Sequence, residues 1–204
     1  MTYKLVLNNE VEITAKNIKK IFAKKKVFVL GYGSLLFAKG WNRRKMQVFV
    51  EPKHLQECKV KGYKRGTYGL ANDMHFYGLI EDATTHLNGV LNPIYSMHDW
   101  ISLMKTELIA GLFNDYNYRV VDVTDKIYGV VKLPKNAVIH AVVNEAKNEE
   151  LVKSVGAAPG YYPYVFRGVL NERTTSFILE FLKTGGLSFD QASILKEAIP
   201  IFIE

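Results

Sequence analysis

The run Val27-Phe28-Val29-Leu30, cut off by Gly31-Tyr32-Gly33-Ser34, constrains the fold of this chain more than any other segment. Four successive apolar residues, mostly β-branched or aromatic, fit a strand buried on both faces. Such a strand belongs inside a covered sheet. The stop after it is abrupt. A turn with two glycines directly after a buried strand can point backbone N–H groups outward, where they cradle an anion or a carbonyl oxygen. An ordinary strand-ending turn would use the same residues, and composition does not separate the two readings.

Three known loop chemistries fail on these residues. A dinucleotide-binding fingerprint needs glycine at Leu36. A nucleophile elbow needs glycine two residues either side of Ser34, where Tyr32 and Leu36 stand. A Walker loop needs a following Gly-Lys-Ser/Thr, which is missing. Ser34 is therefore a poor candidate for an acylated nucleophile.

The rest of the chain predicts an α+β fold round a mostly antiparallel, barrel-like sheet. Tyr3 to Ile13 alternates about Asn8-Asn9 and reads as a hairpin. Thr14 then caps a short amphipathic helix with Ile18, Ile21 and Phe22 as its apolar stripe. We read residues 1–26 as an N-terminal extension of one domain that spans 1–204. Strand-like segments recur at Glu57 to Val60, Thr67 to Leu70, His75 to Ile80, Gly89 to Ile94, Tyr118 to Val123, Lys126 to Lys132 and Ala137 to Val143. Helical periodicity marks Ser96 to Ala110, Asn148 to Val155, Thr175 to Lys183 and Asp190 to Ala198, with a terminal strand at Ile199 to Ile203.

One carboxylate stands out. Trp100, Leu103, Met104 and Leu108 fall on one helical stripe, and Glu107 occupies the i+7 position of the same stripe. A glutamate there either faces the apolar interior, or leans out to solvent, or pairs with Arg119 or a lysine. Burial would raise its pKa toward the range useful in a general acid/base. Periodicity leaves these placements open.

Composition narrows the function classes. There are 204 residues, 48% of them hydrophobic, enough for one domain with a proper core. The single cysteine, Cys58, excludes an internal disulfide and fits a reducing, cytoplasmic setting. Without a marked histidine partner it reads as a structural thiol. No signal-peptide pattern opens the sequence, and Val27 to Ala38 is too short to cross a bilayer. The five histidines lack metal-ligand spacing, so no metal is expected. Net charge is +7, with lysines at Lys16, Lys19, Lys20, Lys24, Lys25 and Lys26 and a second group at Arg43, Arg44 and Lys45. These read as a solvated basic face; nucleic-acid binding is the weaker reading, since no recognition motif accompanies the charge.

The segment 27–36 resembles the opening strand and Tyr-Gly-Ser-Leu loop of the γ-glutamylcyclotransferase-like superfamily, and its Gly31 is most like the glutathione-degrading (ChaC-type) branch. The resemblance continues in order through Val60-Lys61-Gly62-Tyr63-Lys64-Arg65, then Leu87 to Ile94, and Tyr116-Asn117-Tyr118-Arg119-Val120-Val121. It covers roughly residues 27–143. It implies a mixed, mostly antiparallel β-barrel with flanking helices and an enzyme that cyclises a γ-glutamyl group to 5-oxoproline without cofactor or metal. It gives Glu107 the proton transfers, and it gives Tyr32, Gly33, Ser34 and Leu35 the substrate cradle. Tyr118 and Tyr164 join the substrate-binding set, with Tyr162 an alternative to Tyr164. Thr106 departs from the charged residue or glutamine common before the catalytic glutamate. The family's Pro-Ser-x-x-Tyr element has only Pro159 to Tyr164, or Thr175-Ser176-Phe177, as counterparts. The partner implied is a small γ-glutamyl compound; the residues fix no oligomeric state. A binding protein on the same fold, altered in its catalysis, is the alternative.

Overall fold

Lys26–Gly31 (β3) is the strand around which the molecule is organised, and it is buried from Val27 onward. Its side chains alternate between two cores. Val27 and Val29 join an apolar cluster beneath the helices, while Phe28 and Leu30 join a second cluster built mostly from sheet residues. A strand that feeds both faces must be apolar throughout, which is why its sequence shows no alternation.

The computed structural model describes residues 6–7, 11–12, 15–44, 46–71, 74–112, 118–130, 132–144 and 154–184. After a hairpin of Val6–Leu7 (β1) and Val11–Glu12 (β2) comes the helix Ala15–Lys24 (α1), then β3. The short helix Ala38–Asn42 (α2) precedes two long strands, Gln56–Ala71 (β4) and Met74–Ile94 (β5). Met97–Leu112 (α3), Tyr118–Asp122 (β6), Ile127–Tyr128 (β7) and Ala137–Asn144 (β8) follow. The described chain closes with Gly156–Ala157 (β9), Tyr161–Glu172 (α4) and Thr175–Thr184 (α5).

The sheet runs β6-β8-β3-β5-β4-β7, with β9 added beside β5. β3 pairs antiparallel with β5 and parallel with β8, and the other ladders on this path are antiparallel. The mixed sheet curls into a half-barrel. Its inner side is filled by Phe28, Leu30, Val60, Leu79, Leu91, Val121, Ile139 and their neighbours, and helices flank its outer side. The fold is α+β, as the residue pattern predicts.

The expected short strands between Glu57 and Ile94 are instead two long arms. β4 and β5 pair through shifts in register between Lys61 and Tyr63 and between Gly66 and Gly69. Bulges of this kind bend a strand without ending it. Among the described residues of the segment Lys126 to Lys132 only Ile127–Tyr128 is strand. The helix α4 is not among those that the sequence periodicity marks; Gly160 is its N-cap at φ 67° and Pro163 lies in its first turn, where a missing N–H costs nothing. The helix expected at Asn148 to Val155 lies mostly outside the described residues, as do the last helix and strand at 190–203. Among the described residues no helix is long and apolar enough to cross a membrane.

Candidate active site

The turn after β3 is held from below. Ser34–Leu36 forms one turn of 3-10 helix, with the Leu36 N–H donating to the Gly33 carbonyl at 3.0 Å. Leu35, Leu36 and Phe37 are buried, and the Trp41 indole N–H donates to the Leu35 carbonyl at 2.7 Å. The Ala38 N–H donates to Glu172 Oε2 at 2.8 Å, which ties the start of α2 to the end of α4. This packing sets the direction in which the chain leaves α2, and so where Arg43 and Arg44 stand. The Arg44 N–H closes the turn onto the Trp41 carbonyl at 2.9 Å.

Glu107 reaches the same place from α3. Trp100, Leu103 and Met104 are buried to within 1%, so the apolar stripe fixes the rotation of the helix. Glu107, one turn on, lies at the border of that stripe with 19% of its side chain exposed. Its partner is neither Arg119 nor a lysine. Arg44 Nε donates to Glu107 Oε1 at 2.7 Å, Arg44 Nη2 donates to Ser34 Oγ at 2.8 Å, and Nη1 donates to the Gly40 carbonyl at 2.7 Å. Arg119 pairs instead with the exposed Glu81 at 2.6 Å. Burial works against the Arg44 charge, but the Glu107 carboxylate outweighs it and raises the guanidinium pKa. The cation is permanent.

These groups wall a cavity of about 650 Å³. Tyr161, the first residue of α4, bonds Ser34 through its phenol and covers Gly33, where an added Cβ would stand 2.8 Å from the hydroxyl oxygen and 3.1 Å from Tyr77 Cβ. Burial, with the Glu107 charge adding to it, pushes the Tyr161 phenol up. Burial pushes Tyr77 to about 12 against the opposing pull of Arg65. Both phenols are thus neutral hydrogen-bonding groups at physiological pH. At the far wall the Arg43 guanidinium lies 4.2 Å from the centre of the Tyr164 ring, a cation–π contact.

Of the residues singled out in the sequence, Tyr32, Ser34, Glu107 and Tyr164 line this cavity. Gly33 lies beneath Tyr161, and Leu35 sits in the core. Tyr118 is in β6, and its side chain is outside the described residues. Tyr162 is a core residue whose hydroxyl meets His75 Nδ1 at 2.7 Å. Cys58 is buried in the sheet-side core, where burial pushes its thiol up to about 12. Sequence reasoning missed Arg43, Arg44, Tyr77 and Tyr161 as site residues. The two arginines read as part of a basic surface, and no local pattern distinguishes them from solvated charge. The signal lay in Trp41 and the apolar run before it, which anchor α2 and turn Arg44 inward.

Chemically, the wall offers one carboxylate able to move a proton, one fixed guanidinium able to hold an anion, and neutral phenols. No histidine lines the cavity to activate Ser34 as a nucleophile. Among the described residues no cluster of three His, Cys, Asp or Glu side chains comes together as a metal site.

A scan against models of protein families found no match, and a search of curated proteins also found none. Solved structures do resemble this one. YkqA from Bacillus subtilis matches with a TM-score of 0.51 and 18% identity, covering 87% of this chain and 62% of that one. A structure titled γ-glutamyl cyclotransferase matches with a TM-score of 0.50 and 14% identity, over 85% of this chain and 99% of the other. The uncharacterized human protein loc79017 gives 0.50 and 16%, over 83% and 97%. The chain thus spans 62% of the length of the Bacillus protein but nearly the whole of the other two. At these identities the likeness is one of fold: the chain has a γ-glutamylcyclotransferase-like fold.

Proposed function

We propose that the protein is a γ-glutamylcyclotransferase-like enzyme that converts a small γ-glutamyl amine, amino acid or peptide to 5-oxoproline and the free amine. The observation that carries this reading is the bridge made by Arg44. It joins the Glu107 carboxylate and the Ser34 hydroxyl, at 2.7 and 2.8 Å, on the wall of one cavity.

In this reading Glu107 accepts a proton from the substrate α-ammonium. The freed nitrogen attacks the γ-carbonyl, a C–N bond forms, and a five-membered ring closes. The original amide C–N bond then breaks as Glu107 passes its proton to the leaving nitrogen, and the second proton of the attacking nitrogen follows, so the ring keeps one N–H and the amine departs as an ammonium. Neither water nor a cofactor is consumed in that balance. The reacting atoms belong to one molecule, so closure rests chiefly on positioning and one movable proton. The loop 32–35 serves as cradle, with Tyr164 and Tyr118 in the substrate-binding set. The test is incubation with glutathione and a panel of γ-glutamyl amines and amino acids, following 5-oxoproline. Formation that depends on Glu107 supports the reading; no product from any member of the panel would sink it.

The same ion pair favours a second reading, a binding protein on this fold. Glu107 is already neutralised by Arg44, and Thr106 precedes it. That reading requires saturable binding of γ-glutamyl compounds with no turnover, and steady product release dismisses it.

A further inference from the structure

Among the described residues, Arg44 has more donors than its partners use. A guanidinium offers five N–H groups. Among the described residues Glu107 Oε1, the Gly40 carbonyl and Ser34 Oγ take one each, which leaves two unspent on a side chain that is 13% exposed in the cavity wall. Among the described residues the ionised groups lining the cavity are Arg43, Arg44 and Glu107, one positive charge in excess. Arg43 is turned toward the Tyr164 ring. Arg44 is the one beside the carboxylate, locked in three directions and therefore preorganised.

A preorganised cation with a spare N–H on each terminal nitrogen suits a carboxylate, which it holds by charge-assisted hydrogen bonds. The neighbouring Glu107 suits an ammonium. Together they present a plus–minus pair to the cavity, and its complement is the zwitterionic head of an α-amino acid. We propose that Arg44 is the receptor for the α-carboxylate of the γ-glutamyl group, with Glu107 facing the α-ammonium. This rests on the γ-glutamyl reading of the site and adds a requirement to it: the ligand must carry a free α-carboxylate. It also makes the ion pair a working part of the bound state, since Arg44 keeps its hold on Glu107 while its remaining donors take the ligand. The base is thereby positioned from the same atom group that positions the substrate.

The experiment is calorimetric titration of the whole protein with 5-oxoproline and with its carboxamide, which differ only in the charge at that carbon. The unmodified protein is expected to bind the acid at least about ten-fold more tightly than the amide. In Arg44→Gln the preference should disappear through weaker binding of the acid, and Arg44→Lys should keep part of it. Equal affinity for acid and amide in the unmodified protein, or a preference that survives Arg44→Gln, overturns the proposal while leaving the γ-glutamyl reading intact. Binding of neither compound overturns both. Should Arg44→Gln fail to fold, the acid-to-amide ratio in the unmodified protein and in Arg44→Lys still decides.

Discussion

Arg44 and Glu107 meet at 2.7 Å across 63 residues of sequence, joining the segment just after a five-residue helix to the C-terminal half of the longest helix described. Their side chains are 13% and 19% exposed, so the pair is shielded from the solvent that weakens exposed ion pairs. This contact unites the loop after β3 with α3, and the candidate site depends on it.

The route of the chain into that contact is tightly packed at Gly40. A methyl group there would overlap the Ser34 carbonyl oxygen and press on its carbonyl carbon at 2.7 Å. Alanine is normally the better helix residue by about 1 kcal/mol, so an open helix would gain from the exchange. Gly40→Ala should instead destabilise the protein by about 2 kcal/mol or more, because backbone rather than a side chain must give way. Chemical denaturation measures the sign, and a stabilised variant would contradict the packing described.

Stability should also fall in acid through His140. This imidazole is 2% exposed, accepts from Trp100 Nε1 at 3.0 Å on Nδ1, and packs edge-on against the indole. Burial lowers its pKa from 6.5 to about 4, against a smaller upward pull from Asp122. A depressed folded-state value means that the unfolded chain binds the proton first. Its contribution is therefore intact above pH 6.5 and lost as pH falls toward 4, to an extent of about 3 kcal/mol. Denaturation midpoints over that window should decline less steeply in His140→Gln, which keeps an acceptor for Trp100 and loses the titration. Parallel slopes in the two proteins would rule the account out.

Arg65 gives the opposite kind of prediction. It is 2% exposed, donates through Nη2 to the Asn88 carbonyl and side chain, and stacks 4.6 Å from the centre of the Phe181 ring. Its Nε and Nη1 find no partner among the described residues, and burial lowers its pKa to about 10. A buried cation without a carboxylate destabilises the fold at neutral pH. Arg65→Met, similar in length and apolar, should be neutral or stabilising by about 1–4 kcal/mol. Asn88→Ala leaves the backbone carbonyl that accepts from Arg65 but removes the side-chain oxygen beside it at 3.3 Å and the bond from Asn88 to the Phe177 carbonyl at 2.7 Å, and should cost about 2 kcal/mol. Urea denaturation of both variants checks the order.

The sequence is legible where one element decides a feature. The apolar run 27–30 announces β3, and the stripe of Trp100, Leu103 and Met104 sets the rotation of α3 and hence the place of Glu107. It is opaque where the deciding contact is remote. Arg44 is indistinguishable from Arg43 and Lys45 until Ala38 is tied to Glu172, 134 residues away, and Trp41 to Leu35. Likewise Glu57 to Val60 and Thr67 to Leu70 read as separate short strands, and only the pairing of β4 with β5 joins them into one bent strand. Tyr161 could not be placed over Gly33 without knowing that α4 begins there.

The most direct measurement is the rate of 5-oxoproline release by Glu107→Gln, set beside the unmodified protein on the best substrate of the γ-glutamyl panel. Glutamine keeps the size of the side chain and an oxygen for Arg44 but cannot carry the proton. The rate should fall by at least about 100-fold with the fold retained, as judged by circular dichroism. A rate that survives the exchange unchanged would contradict the assignment of proton transfer to Glu107.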